Sequence, residues 1–141
     1  MFSPNLLISL VTVFSVVISV SAEDLKFHKI TTSDGLSHNT VYAIEQDSKG
    51  FLWSGTREGL NRFDSEEIVS FYHREGDSLS LGSNHVTALA SDHQFLYVGT
   101  TYGLSRYDYN LGAFQPINFE GTPVRNINQL LIAEDSSLYL G

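Results

Sequence analysis

The sequence predicts an all-β fold, a partial β-propeller of four-stranded antiparallel blades with about two and a half blades present. Three observations carry this. First, the run Gly-Thr-x-x-Gly-Leu-x-Arg-aromatic-Asp occurs at residues 55–64 and again at 99–108. Second, a third copy starts near Asn126 and reaches Leu138-Tyr139-Leu140-Gly141, where the next Gly-Thr turn would begin. Third, each full copy holds four short β-rich runs separated by turn residues. A period of about 40–45 residues with four strands per unit is the pattern of a propeller blade. The copies differ in length mainly at the first hairpin turn, which shortens from 47–52 to 92–96 to 135–138, and turns tolerate such changes.

Residues 1–22 read as a secretory signal peptide. An apolar run over 6–20 leads to Val20-Ser21-Ala22, with small or apolar side chains at −3 and −1, ahead of Glu23-Asp24. No Lys or Arg precedes the run, which leaves an uncleaved anchor as the alternative. About fifteen apolar-rich residues are short for a membrane span. Either way, residues 23–141 are expected on the far side of the membrane, in the periplasm or at the outer face of the inner membrane.

Residues 25–30 are expected to be the outer strand of a blade whose other strands are missing, because Phe27 lies one repeat before Phe71-Tyr72. With the stop mid-motif at Gly141, this leads to the expectation of a piece of a longer propeller. Blade one spans roughly 36–72. Its first strand, 39–46, is apolar on both parities (Val41 and Ala43 against Tyr42 and Ile44), as in a strand covered on both faces. Asp47-Ser48-Lys49-Gly50 is a turn, with Gly50 free to take positive φ. Residues 51–54 form the second strand, and Gly55 removes a side chain where backbones approach closely. Arg57-Glu58-Gly59 turns the chain into the third strand at 60–63, and 64–67 leads into the fourth at 68–72. A polar link, 73–80, precedes blade two at 81–119. There, Pro116 is tolerable because 114–119 is an edge strand. Blade three is incomplete at 126–141, and Gln129 sits where the repeat has Val.

Residues Asp34 and Gly35-Leu36-Ser37 through Asn39, Val41, Ile44, Asp47, Gly50, Leu52-Trp53, Gly55-Thr56, Gly59-Leu60 and Arg62-Phe63-Asp64 together resemble the two-component regulator propeller repeat. Copy two is similar but has Tyr97 for Trp and lacks the turn glycine; copy three is partial. The resemblance covers roughly 25–141. It implies the extracytoplasmic sensor region of a bacterial hybrid histidine kinase or diguanylate cyclase, followed by a membrane helix and a cytoplasmic output module.

Composition narrows the function. The net charge is −8 with no basic cluster, which argues against nucleic acid and anionic membrane surfaces. There is no cysteine, hence no disulfide framework. No hydrolase, metalloprotease or phosphate-loop motif is present, so no catalysis and no cofactor are expected in this chain. The five His are scattered, His38 aligning with Ser83 and His85 with Thr40, which argues against a metal site. Asp47, Asp92 and Asp135 share one repeat position beside a turn, where Asp caps backbone; a carboxylate pair for glycoside chemistry is the rival. Trp53, Tyr97 and Tyr139 share a strand position, a core stripe ahead of a sugar platform.

Ligand contacts are therefore sought off the repeat. Arg57, Glu58, Thr101 and Tyr102 lie in the turns between second and third strands. His38, Asn39, Ser83, Asn84 and Arg125 lie near the starts of inner strands, on the same face of the disc. Side chains that vary on a rigid scaffold are where binding usually sits, and the plainer reading of each is a solvated loop residue. The expected partners are an unknown small molecule, with a saccharide among the candidates, and the remaining blades of the same protein; a receptor dimer is left open. The rival readings are an exported propeller enzyme or carbohydrate-binding protein, and a structural or adhesive envelope propeller.

Overall fold

The structure is a computed structural model that describes residues 26–121 and 124–141. The expected signal peptide, Leu25 and the linker residues Thr122 and Pro123 lie outside the described residues.

Blade one is the meander β1 (Val41–Gln46), β2 (Leu52–Thr56), β3 (Gly59–Phe63) and β4 (Ile68–Phe71), hydrogen-bonded in that order. Blade two repeats it as β5 (Val86–Ser91), β6 (Phe95–Thr100), β7 (Gly103–Asp108) and β8 (Ala113–Ile117). A hairpin of β9 (Leu130–Ile132) and β10 (Leu138–Leu140) is the start of a third blade. All pairings are antiparallel, and both inner strands slip register at one place, between Val41 and Ala43 and between Val86 and Ala88. The extra residues at those bulges, Tyr42 and Thr87, stand outside the pairing, and a bulge increases local twist.

The first turn of each blade is built by its repeated Asp. Asp47 Oδ1 accepts from the backbone N–H groups of Lys49 (2.9 Å) and Phe51 (3.0 Å), and Oδ2 accepts from Trp53 Nε1 at 2.7 Å. Asp92 does the same for Gln94 and Phe95, and its Oδ2 accepts from the Tyr97 hydroxyl at 3.2 Å. Asp135 accepts from Ser137 N at 3.0 Å. These backbone donors hold the Asp135 carboxyl below its usual range, because they favour the charged form. Asp47 and Asp92 thus cap turns and anchor the strand-two aromatics, whereas Asp135 caps its turn only, Ala133 standing at their place in the ladder; the carboxylates do not pair with one another.

The second turn is clasped by the repeated Thr. Thr56 Oγ1 donates to Gly59 O (3.0 Å) and accepts from Glu58 N (3.1 Å). Thr100 makes the same pair of bonds to Gly103 O and Tyr102 N. The clasp needs the left-handed backbone seen at Gly59 (φ 145°) and Gly103 (φ 138°), which glycine adopts without strain.

The main core lies between the blades. Trp53, Leu60, Leu81, Val86, Leu89, Leu96, Val98, Tyr107 and Phe114 form one buried cluster, with Phe51 and Phe71 packed against it. Trp53 stacks on Phe71 at 5.7 Å between ring centroids and packs at a tilt against Tyr107 at 5.3 Å. The blades also share a polar clasp: Glu45 Oε1 accepts from both Ser91 N (2.9 Å) and Ser91 Oγ (2.7 Å). A second cluster of Ala88, Leu104 and Ile127, with Tyr97, Leu130 and Leu138 beside it, joins blade two to the third copy.

Two expectations are corrected. The first strand of blade one is not covered on both faces: Val41, Tyr42 and Ile44 are exposed, Ile44 at 65%. No neighbouring sheet lies against that side among the described residues. Residues 26–30 make no strand pairing, as is expected of an outer strand whose partner strands are not among the described residues, and His28 and Ile30 border the free face of blade one. Finally, Gln129 does not take the place of the repeated Val. A Cβ on Gly55 would collide with Val86, and one on Gly99 would stand 2.7 Å from Ile127 Cγ2. Ile127 therefore fills the Val position in copy three, because the chain arrives there earlier than the sequence spacing suggests.

Candidate functional site

The face formed by the second-turn loops and the inter-blade links holds the nine nominated residues. Arg57 and Glu58 are exposed at the tip of the β2–β3 turn, and neither makes an ion pair among the described residues. Thr101 and Tyr102 occupy the same place in blade two, Tyr102 at 71% exposure. His38 and Asn39 are occupied locally. His38 Nδ1 accepts from Thr40 N (2.9 Å), and Asn39 Oδ1 accepts from Thr32 N (3.0 Å). Ser83 is buried, with Oγ accepting from His85 N at 3.3 Å. Asn84 Oδ1 accepts from His73 N at 2.6 Å. Arg125 is exposed next to Asn126, whose N–H donates to Thr101 O at 3.2 Å.

Three of the nine converge. Ser83, Asn84 and Tyr102 line an open depression of about 490 Å³ together with His73, Gly82 and His85. His85 also packs at a tilt against Tyr42 of blade one, with ring centroids 5.1 Å apart, and His73 Nδ1 lies 2.8 Å from Leu81 O. The depression therefore crosses the blade-one to blade-two link and presents ring nitrogens, an amide and a phenol. The remaining nominated residues do not line it. His73 and His85 were not among the nominated ligand residues. The available signal was that His85 breaks the repeat, standing where blade one has Thr40.

The strand-two aromatics belong to the core, as expected, to the degree that a next blade covers them. Trp53 is fully buried and Tyr97 is partly buried, whereas Tyr139 is 57% exposed. Burial, with the Asp92 carboxylate beside it, pushes the Tyr97 phenol up. The arginines repeated between blades lie over the first aromatic of strand two: Arg62 over Phe51 at 4.7 Å and Arg106 over Phe95 at 4.5 Å. Arg106 Nε donates to Gln115 Oε1 at 3.0 Å. In blade one the facing residue is Val69, and Arg62 Nε is buried with no partner.

Residues 35–58 match the family described as two component regulator propeller. The chain carries that repeat. A histidine kinase of Formosa agariphila is 42% identical over 77 residues, an alignment covering 49% of this chain and 6% of the kinase. The extracellular domain of a putative hybrid two component system from B. thetaiotaomicron superposes with a TM-score of 0.65 and 23% identity. That match covers 79% of this chain and 15% of the solved one. The chain thus spans a small fraction of both relatives. The structural likeness bears on the fold: the two blades and the half blade are part of a β-propeller. The two component regulator propeller match itself falls on the first turn and inner hairpin of blade one, where Asp47, Trp53 and Thr56 make the bonds described above.

Proposed function

We propose that this chain is the sensing propeller of an exported bacterial receptor of the two-component or cyclic-dinucleotide type. It takes up a small molecule on the link-and-turn face and passes a change of blade packing to an output module. The observation that carries this reading is the two component regulator propeller match at residues 35–58. The similarity to a histidine kinase and to the extracellular domain of a hybrid system supports both the signalling role and the extracytoplasmic placement. The apolar run at residues 6–20 agrees with export. The sensing chemistry rests on Ser83 and Tyr102, which vary between copies, and on Asn84, which does not; the three meet at one depression, and Arg57, Glu58 and Arg125 stand on the same face as an outer ring.

The test uses the full receptor. Exchanging Arg57, Glu58 and Tyr102 together for Ala is expected to shift signalling output against inducer concentration while circular dichroism stays unchanged. An unshifted curve would move the site to other blades or to the far face. A gene in which no membrane helix and no kinase or cyclase module follows the propeller would overturn the receptor assignment.

A further inference from the structure

We infer that a cleft in blade two, at a place blade one fills with its own side chains, binds a small neutral ring compound with a hydroxyl or amide on one edge. This rests on the sensing reading above and adds to its depression an adjoining cleft, which shares Gly82 and Tyr102 with it, together with the class of compound it would take.

Blade one shows what the repeat normally does at this place. Asn61 Oδ1 accepts from Ser37 N (2.9 Å) and from Ser70 Oγ (2.8 Å). Asn61 Nδ2 donates to Ser54 O (3.2 Å), and Ser37 Oγ lies 2.8 Å from Thr56 Oγ1. Four polar side chains thus satisfy one another and plug the space between the link and β3–β4.

Blade two keeps the frame and removes the plug. Ser105 faces Pro116 across β7 and β8, in the register where Asn61 faces Ser70. Gly82 stands where blade one has Ser37. The shorter side chains leave a cleft of about 310 Å³, lined by Gly82, Tyr102, Ser105, Pro116, Asn118 and Phe119 among others. That volume is at the lower end of small-ligand sites.

The lining selects the ligand class. Ser105 is 4% exposed and its hydroxyl makes no hydrogen bond among the described residues, so it offers an unused donor and acceptor at the cleft floor. Tyr102 and Phe119 are exposed aromatics at the rim, and Pro116 and Ile117 add apolar wall. No Asp, Glu, Lys, Arg or His lines the cleft among the described residues, and an ion entering it would lose hydration without a counter-charge. A neutral ring with one hydrogen-bonding edge satisfies both the apolar wall and Ser105.

The test measures saturable binding of three probes to the full 141-residue chain by ligand-observed NMR titration: phenol, benzene and benzoate. Phenol is expected to bind best and benzoate worst. Ser105→Ala is expected to weaken phenol about five- to tenfold, the loss of one hydrogen bond, and to leave benzene unchanged. The triple change Gly82→Ser, Ser105→Asn and Pro116→Ser, which restores the Ser37, Asn61 and Ser70 set of blade one, is expected to abolish phenol binding. Equal binding of benzoate, or phenol binding untouched in both variants, would overturn the proposal. A receptor that answers its inducer normally with the cleft refilled would remove the cleft as the sensing site and leave the sensor reading standing. A propeller that binds phenol as expected but is attached to no output module would do the reverse.

Discussion

β1 and β5 have the same place in the repeat, nearly the same sequence character and opposite surroundings. Leu89 of β5 is 9% exposed and its counterpart Ile44 of β1 is 65% exposed. Val86 is fully buried while Val41 is 38% exposed. The strand pairing within the two blades is alike, down to the bulge. What differs is the neighbour. β5 lies between blade one and the third copy, whereas β1 has a blade on one side only. Burial in a stacked repeat is a property of the interface between units, so a strand's composition states what it is fit for, not what covers it.

The comparison can be broken at its strongest point first. Leu89→Ala is expected to destabilise the chain by about 2–4 kcal/mol, the range for a buried large-to-small change, and Ile44→Ala by less than about 1 kcal/mol. Urea midpoints that move equally would show that β1 is covered in solution, by self-association. In that event Ile44→Lys should lower the apparent mass in sedimentation. Next come the two turn carboxylates. Asp47→Ala is expected to cost about 2–3 kcal/mol, because it strands the buried Trp53 N–H; Asp92→Ala is expected to cost about 1 kcal/mol, since Tyr97 is only partly buried. Equal losses by chemical denaturation would mean that turn capping alone carries the effect.

The clasp glycines sharpen the contrast further. A Cβ on Gly59 would meet Phe71 O at 3.0 Å and Ser37 at 3.1 Å, while one on Gly103 would meet only Val124 O at 3.4 Å. Both substitutions carry the strain of positive φ, about 1–2 kcal/mol, but Gly59→Ala is expected to be the worse by thermal midpoint. The smallest effect is a gain. Val69→Gln gives the buried Arg62 Nε the acceptor that Gln115 provides in blade two, and is expected to stabilise by about 0.5–1 kcal/mol. A loss instead would indicate that Phe51 and Trp53 already satisfy the guanidinium.

Much of this architecture was legible in the residues, for local reasons. Asp47, Gly50, Thr56 and Gly59 are turn chemistry, and their recurrence at Asp92, Thr100 and Gly103 marks the hairpins without reference to anything distant. The misjudged features all depend on the neighbouring unit. The exposure of Ile44 depends on whether a blade lies against β1, and none does among the described residues. The role of Ile127, where spacing pointed to Gln129, depends on how the link crosses the β6–β7 turn. Of the nominated ligand residues, Ser83, Asn84 and Tyr102 converge, because all three border one link. His38 and Asn39 do not, because they stand ahead of blade one and not at the link between the blades. The cleft at Ser105 escaped notice because its signal is a subtraction, visible only when Ser37, Asn61 and Ser70 are seen bonded together.

The indole of Trp53 has a use beyond packing. It is the only tryptophan in the chain, it is fully buried between the two blades, and its N–H is held by a carboxylate at 2.7 Å. Excitation near the red edge of protein absorbance therefore reports on one seam of the molecule and nothing else. While the blades are docked, its emission should be blue-shifted and shielded from iodide. Any event that opens the seam would redden it and admit the quencher. The protein carries an optical gauge at the joint through which a sensing propeller would have to transmit strain, and no label is needed to read it.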